Sequence, residues 1–123
     1  MAIHHVAIVS LPVTDQDRSI AFFKDNLGFE VRRDASMGAN GSRWVEIAPQ
    51  GAETALTLVT WFEKMPPGSV QGLVLNTRDV EKTHANLKKR NVEVSAIQQA
   101  PWGKYCTLQD LDGNGLVIVQ EPS

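Results

Sequence analysis

The chain has 123 residues, 42% hydrophobic and 21% charged, with a formal net charge of −2 and one cysteine. That length suits one domain or two small modules sharing a core, and the mild negative charge excludes a general electrostatic attraction to nucleic acid or anionic membrane. No apolar run approaches the roughly 20 residues that span a bilayer, and Cys106 alone supports neither an internal disulfide nor a multi-thiolate zinc site.

The opening residues lack a signal-peptide pattern, so the expected compartment is the cytoplasm, and Ile3 to Val9 reads as the first strand. Alternation sets His5, Ala7 and Val9 on one face of it, and Pro12 is expected to break it. Thr14, with Asp17 three residues on, predicts a helix start. Ile20, Phe23 and Leu27 form its apolar stripe, and Gly28 ends it. Phe29 to Arg33 is the next strand, followed by a turn-rich loop over 36–42. In the strand Arg43 to Ala48, Val45 and Ile47 share the helix-packed face, leaving Trp44 and Glu46 on the other. Thr54 to Val59 is a further strand. The longest connection follows, with Pro66-Pro67-Gly68 as the best boundary signal.

The order then repeats. Val70 to Asn76 is a strand, and Thr77 or Asp79 caps a helix whose stripe is Val80, His84 and Leu87, with Asn91 as terminator. Val92 to Ile97 and Tyr105 to Gln109 are strands. The turn Asp110-Leu111-Asp112-Gly113-Asn114-Gly115, with Asp112 positioned to bond its backbone, leads into the last strand, Leu116 to Val119. The pattern βαβββ occurs twice, module 1 over about 1–60, a linker over 61–69 and module 2 over about 70–123.

His5-Val6-Ala7-Ile8, "FFKDNLGFE" at the first helix exit, Arg43-Trp44-Val45-Glu46, Asn76-Thr77-Arg78-Asp79-Val80-Glu81 and Asp112-Gly113-Asn114 resemble the vicinal oxygen chelate superfamily. That group includes glyoxalase I, extradiol dioxygenases, fosfomycin-modifying enzymes and metal-free bleomycin-binding proteins. The resemblance covers nearly the whole chain. It implies a single α+β domain of two tandem βαβββ modules, an eight-stranded curved sheet around a cavity with helices outside, and a homodimer. It also implies four metal-ligand positions, which fall on His5, about Leu56, Gly72 and Val117. Only the first is a ligand type.

The expectation is therefore a protein that binds a small organic molecule without a metal cofactor, acting by sequestration or resistance. A metal-dependent lyase, isomerase or dioxygenase is the alternative, and a non-catalytic interaction module the third. A divalent metal would call on His5, Glu46 and Glu121. Catalysis would call on His5 and Glu46, the latter as a general base. The candidate ligand-binding residues are His5, Trp44, Glu46, Trp102, Tyr105, Thr107 and Gln109, in which aromatic walls alternate with polar groups. Trp61, beside the linker, is read as packing, and Cys106 as a core residue.

Overall fold

The computed structural model describes residues 2–38 and 43–121. The elements are β1 (Ile8–Pro12), α1 (Gln16–Leu27), β2 (Glu30–Ser36), β3 (Arg43–Ala48), β4 (Ala55–Val59), β5 (Leu73–Asn76), α2 (Val80–Lys89), β6 (Gln98–Ala100), β7 (Gly103–Gln109) and β8 (Gly115–Gln120). The chain divides into two compact units, 1–67 and 68–123. Each contains a four-stranded sheet, of order β1-β4-β3-β2 in the first and β5-β8-β7-β6 in the second. In both, the first strand runs parallel to the fourth and the other pairs are antiparallel. The α+β repeat legible in the sequence is thus a repeat of topology.

Within the first unit, Asp15 caps α1 by accepting from the Arg18 amide at 3.1 Å, so the cap lies one residue beyond Thr14. Gly28 turns the exit at φ 73°, and the Phe29 amide reaches back to the Phe23 carbonyl. Helix α1 packs on β2, β3 and β4. Phe22 and Phe23 are buried with Leu11, Val45, Ile47, Leu56 and Leu58, which alternation places on one sheet face. Each such side chain contributes about 1.5–3 kcal/mol of hydrophobic stabilisation.

The second unit follows the same rule. Asp79, the second of the two expected caps, accepts from the Lys82 amide at 3.0 Å. Val80 and Leu87 of α2 are buried, as are Cys106, Leu108, Leu116 and Ile118 on one face of β7 and β8. Asn91 holds φ at 62° and ends the helix in the left-handed conformation that Asn tolerates.

Several boundaries differ from the sequence reading. Strand β1 is Ile8–Pro12, not Ile3 to Val9. As an edge strand it tolerates Pro12, whose missing N–H need not face the one neighbour, β4. Strand β5 begins at Leu73, three residues after Val70. The segment 92–97 contributes only an isolated bridge between Val94 and Leu108, and the paired strand β6 follows it. Strand β2 extends to Ser36, and residues 39–42 of the predicted loop lie outside the described residues.

The β7–β8 turn is organised by Asp110. One carboxylate oxygen accepts from the amides of Asp112 and Asn114, both at 2.9 Å, and the other from Asn114 Nδ2 at 2.8 Å. Asn114, fully buried, accepts in turn from the Val70 amide at 3.1 Å. The turn is thereby tied to the chain leading into β5. Its positive φ is at Gly113, 91°.

Candidate functional site

In the first unit the face opposite α1 carries Trp44 and Glu46, as alternation predicts. Trp44 stacks on Trp61 with ring centroids 6.3 Å apart and planes at 28°. Its indole N–H donates to the Glu46 carboxylate at 2.5 Å. Arg33 approaches the same carboxylate at 4.0 Å, but two-thirds of its side chain is exposed, so solvent screens that pair. Trp61 is therefore more than linker packing: it is the second half of an aromatic pair. Thr57 stands across from Glu46 in the β3–β4 register and in line with Ser10 of β1. It is 1% exposed, and its hydroxyl has no hydrogen-bond partner among the described residues.

On the helix-packed side of β3, which Arg43 shares with Val45 and Ile47, the first unit is held by charge. Arg43 donates to both oxygens of Asp34, at 3.0 and 2.7 Å, and to Asp17 at 2.8 Å. The Arg43 guanidinium holds the Asp34 carboxyl below its ordinary range, while the two carboxylates keep Arg43 firmly protonated. These contacts join β2, β3 and α1 beside Trp44.

In the second unit the face opposite α2 is a grid. The residues Val74, Val117 and Thr107 form one row, and Asn76, Val119, Tyr105 and Gln98 the next. Thr107 and Gln109 are exposed and Cys106 and Leu108 buried, so β7 alternates as its sequence suggests. Tyr105 stacks under Trp102, with centroids 4.7 Å apart and planes at 26°, and its hydroxyl donates to Gln98 at 3.0 Å. Beside this stack lies an open concavity of about 460 Å³, lined by Val74, Asn76, Trp102, Val119 and Glu121. Trp102 is 52% exposed and Val74 56%.

Gly103 explains how the stack is placed. At φ 137°, a Cβ there would collide with the Gln120 carbonyl oxygen. Only glycine lets β7 start so close to the end of β8. Val74, Asn76 and Glu121 were not joined to Trp102 by the sequence reading. The only signal for Glu121 was its parity with Val117, and none pointed to Asn76.

The positions that the resemblance assigns to metal ligands do not fit a metal. His5 is exposed and precedes β1, its ring 4.7 Å from that of His4. Leu56 is buried on the helix-packed face, and the β4 residue across from Glu46 is Thr57. Gly72 precedes β5 at φ 78°, a conformation that a histidine would adopt only under strain. Val117 sits half-buried between Val74 and Thr107. Among the described residues, no three His, Cys, Asp or Glu side chains come together as a metal-holding group. Burial pushes the Cys106 thiol up, away from nucleophilic use. His84 is bonded to the Ser95 carbonyl oxygen at 2.9 Å. No helix among the described residues is long and apolar enough to cross a membrane.

Known proteins bear out the fold and place it. The uncharacterized protein YetH of Bacillus subtilis (strain 168) is 34% identical over 120 residues, covering 94% of this chain and 98% of that protein. TnmS3, an antibiotic binding protein from Streptomyces sp. CB03234, has a solved structure that matches with a TM-score of 0.93 at 43% identity, over 99% of each chain. A glyoxalase/bleomycin resistance protein from the same Streptomyces matches with a TM-score of 0.84 at 41% identity, over 94% of this chain and 100% of that one. A family model matches residues 2–118. The chain belongs to the Glyoxalase/Bleomycin resistance protein/Dioxygenase superfamily.

Proposed function

We propose that this protein binds a planar organic molecule of the antibiotic type and acts by sequestering it, its ancestral metal site having been lost. The observation that carries the reading is the Trp102–Tyr105 stack beside the open concavity of the second unit. A half-exposed indole backed by a second ring is a stacking platform, worth about 0.5–1.5 kcal/mol beyond the area it buries. Similarity to an antibiotic binding protein over nearly the whole chain supports it. So do Leu56, Gly72 and Val117, apolar or bare where the resemblance places ligands. In this reading Tyr105, Thr107 and Gln109 give the second sheet its polar-aromatic face. In the first unit, His5, Trp44 and Glu46 are the ligand contacts this reading proposes. The protein acts as a cytoplasmic homodimer, a state that would cover the exposed Ile3, Val6, Ile8 and Val9.

The test is calorimetric titration with bleomycin, anthracycline and quinolone antibiotics, with the compounds recovered and weighed by mass spectrometry. Binding without a change in mass, weakened about tenfold or more in Trp102→Ala, is the expected result. Conversion of a compound on adding a divalent metal would replace this reading with the enzymatic one. No binding across the panel would end it.

A further inference from the structure

The concavity of the second unit has an uneven chemical lining. Its floor is apolar, Val74 and Val119, and one wall is the exposed face of Trp102. The other residues lining it, Glu121 and Asn76, are polar. Neither is used internally: among the described residues Glu121 makes no ion pair, and the Asn76 side chain makes no hydrogen bond. The cation nearest along β7 is accounted for. Lys104 precedes Tyr105 in the strand, so it points to the opposite face, where it bonds Glu81 at 2.9 Å. The concavity is therefore an anionic, hydrogen-bond-accepting edge next to an electron-rich ring.

We infer that this concavity selects planar ligands carrying a protonated nitrogen, the ring system lying on Trp102 and the cationic nitrogen between Glu121 and Asn76. The inference rests on the reading of this face as the binding surface and adds the charge of the ligand to it. An indole face attracts a cation through its quadrupole. Glu121 is exposed, so it holds that cation as a charge-assisted, salt-sensitive partner beside the apolar floor. Asn76 supplies its side-chain carbonyl oxygen as a further acceptor. A planar anion meets repulsion at the same edge, which makes the selection one of charge as well as shape.

Titration of the full chain near neutral pH with aminoacridine, a planar cation, and acridine, its largely neutral parent, tests this. The expected result is about tenfold tighter binding of aminoacridine, a preference that shrinks as salt is raised. Glu121→Gln, checked for an unchanged melting temperature, removes the preference by weakening aminoacridine. Trp102→Ala weakens both. Equal affinity for the two probes, or a preference that survives Glu121→Gln, overturns the inference while Trp102-dependent binding leaves the broader reading intact. If neither probe binds, the inference is overturned, and the antibiotic panel decides the broader reading by itself.

Discussion

The two units share a topology and place an aromatic pair and a carboxylate on the same side of the sheet, yet they use them differently. In the first, Trp44 and Glu46 bond to each other, Trp61 covers the indole, and both faces of β4 are buried. In the second, Trp102 rests on Tyr105, and Glu121 and Asn76 are left facing an open concavity. The first arrangement spends its polar groups internally and stabilises the sheet. The second keeps them for something else. A repeated fold thus does not imply a repeated site: what differs is whether the side chains on that face satisfy one another.

The largest test of this contrast is at the turn that ties the second sheet together. Asp110→Ala removes the carboxylate that accepts from the part-buried Asp112 amide and from the buried backbone and side-chain amides of Asn114, and each buried loss costs about 1–3 kcal/mol. A loss of about 3–5 kcal/mol in urea unfolding is expected, together with loss of ligand binding, because β7 and β8 carry the open face. A cost below about 1 kcal/mol would mean that the turn does not hold that face in place.

A smaller effect, of opposite sign, is expected in the first unit. The Thr57 hydroxyl is buried and without a partner, so Thr57→Val replaces an unpaired polar atom with a methyl of similar shape. We expect a gain of about 1 kcal/mol by thermal or urea melting, with antibiotic binding unchanged. A loss of stability would show that the hydroxyl is bonded to water, and that the first face is less closed than its side-chain contacts imply.

The smallest effect concerns the first unit's charged contacts. Asp34 has its pKa lowered by Arg43, so its contribution is present above the unfolded carboxyl pKa and fades as pH falls through the lower folded value. Both side chains are partly exposed, which limits the pair to under about 1 kcal/mol. Wild type should therefore lose slightly more stability than Arg43→Met on acidification below about pH 4. Parallel curves would remove this ion pair from the account of how the Trp44 strand is anchored.

Much of this molecule follows from local chemistry. The buried Phe23 of α1, a capped start of α2 at Thr77 or Asp79, the helix-ending Gly28 and Asn91, and the alternation of β3 and β7 are properties of a few neighbouring residues, so spacing alone reveals them. The order of elements was legible for the same reason, and the family through the residue segments that resemble it. Position along a strand was harder. In MAIHHVAIVSLPV apolar residues occupy both parities, so only pairing with β4 could settle that β1 begins at Ile8 and that His5 precedes it.

The site depended on tertiary structure throughout. Asp110 and Asp112 look equivalent in sequence, but the turn's three-dimensional path presents its donors to Asp110. Trp44 and Trp61 are 17 positions apart in the numbering, and Asn76 and Glu121 are further apart still. They meet because strands distant in the chain are hydrogen-bonded side by side, and the sheet register, which depends on all the paired strands, decides which side chains share a surface. Sequence by itself determined the kinds of side chain available to bind a ligand. Which of them are already bonded to each other, and which remain open, was decided only by the folded sheet.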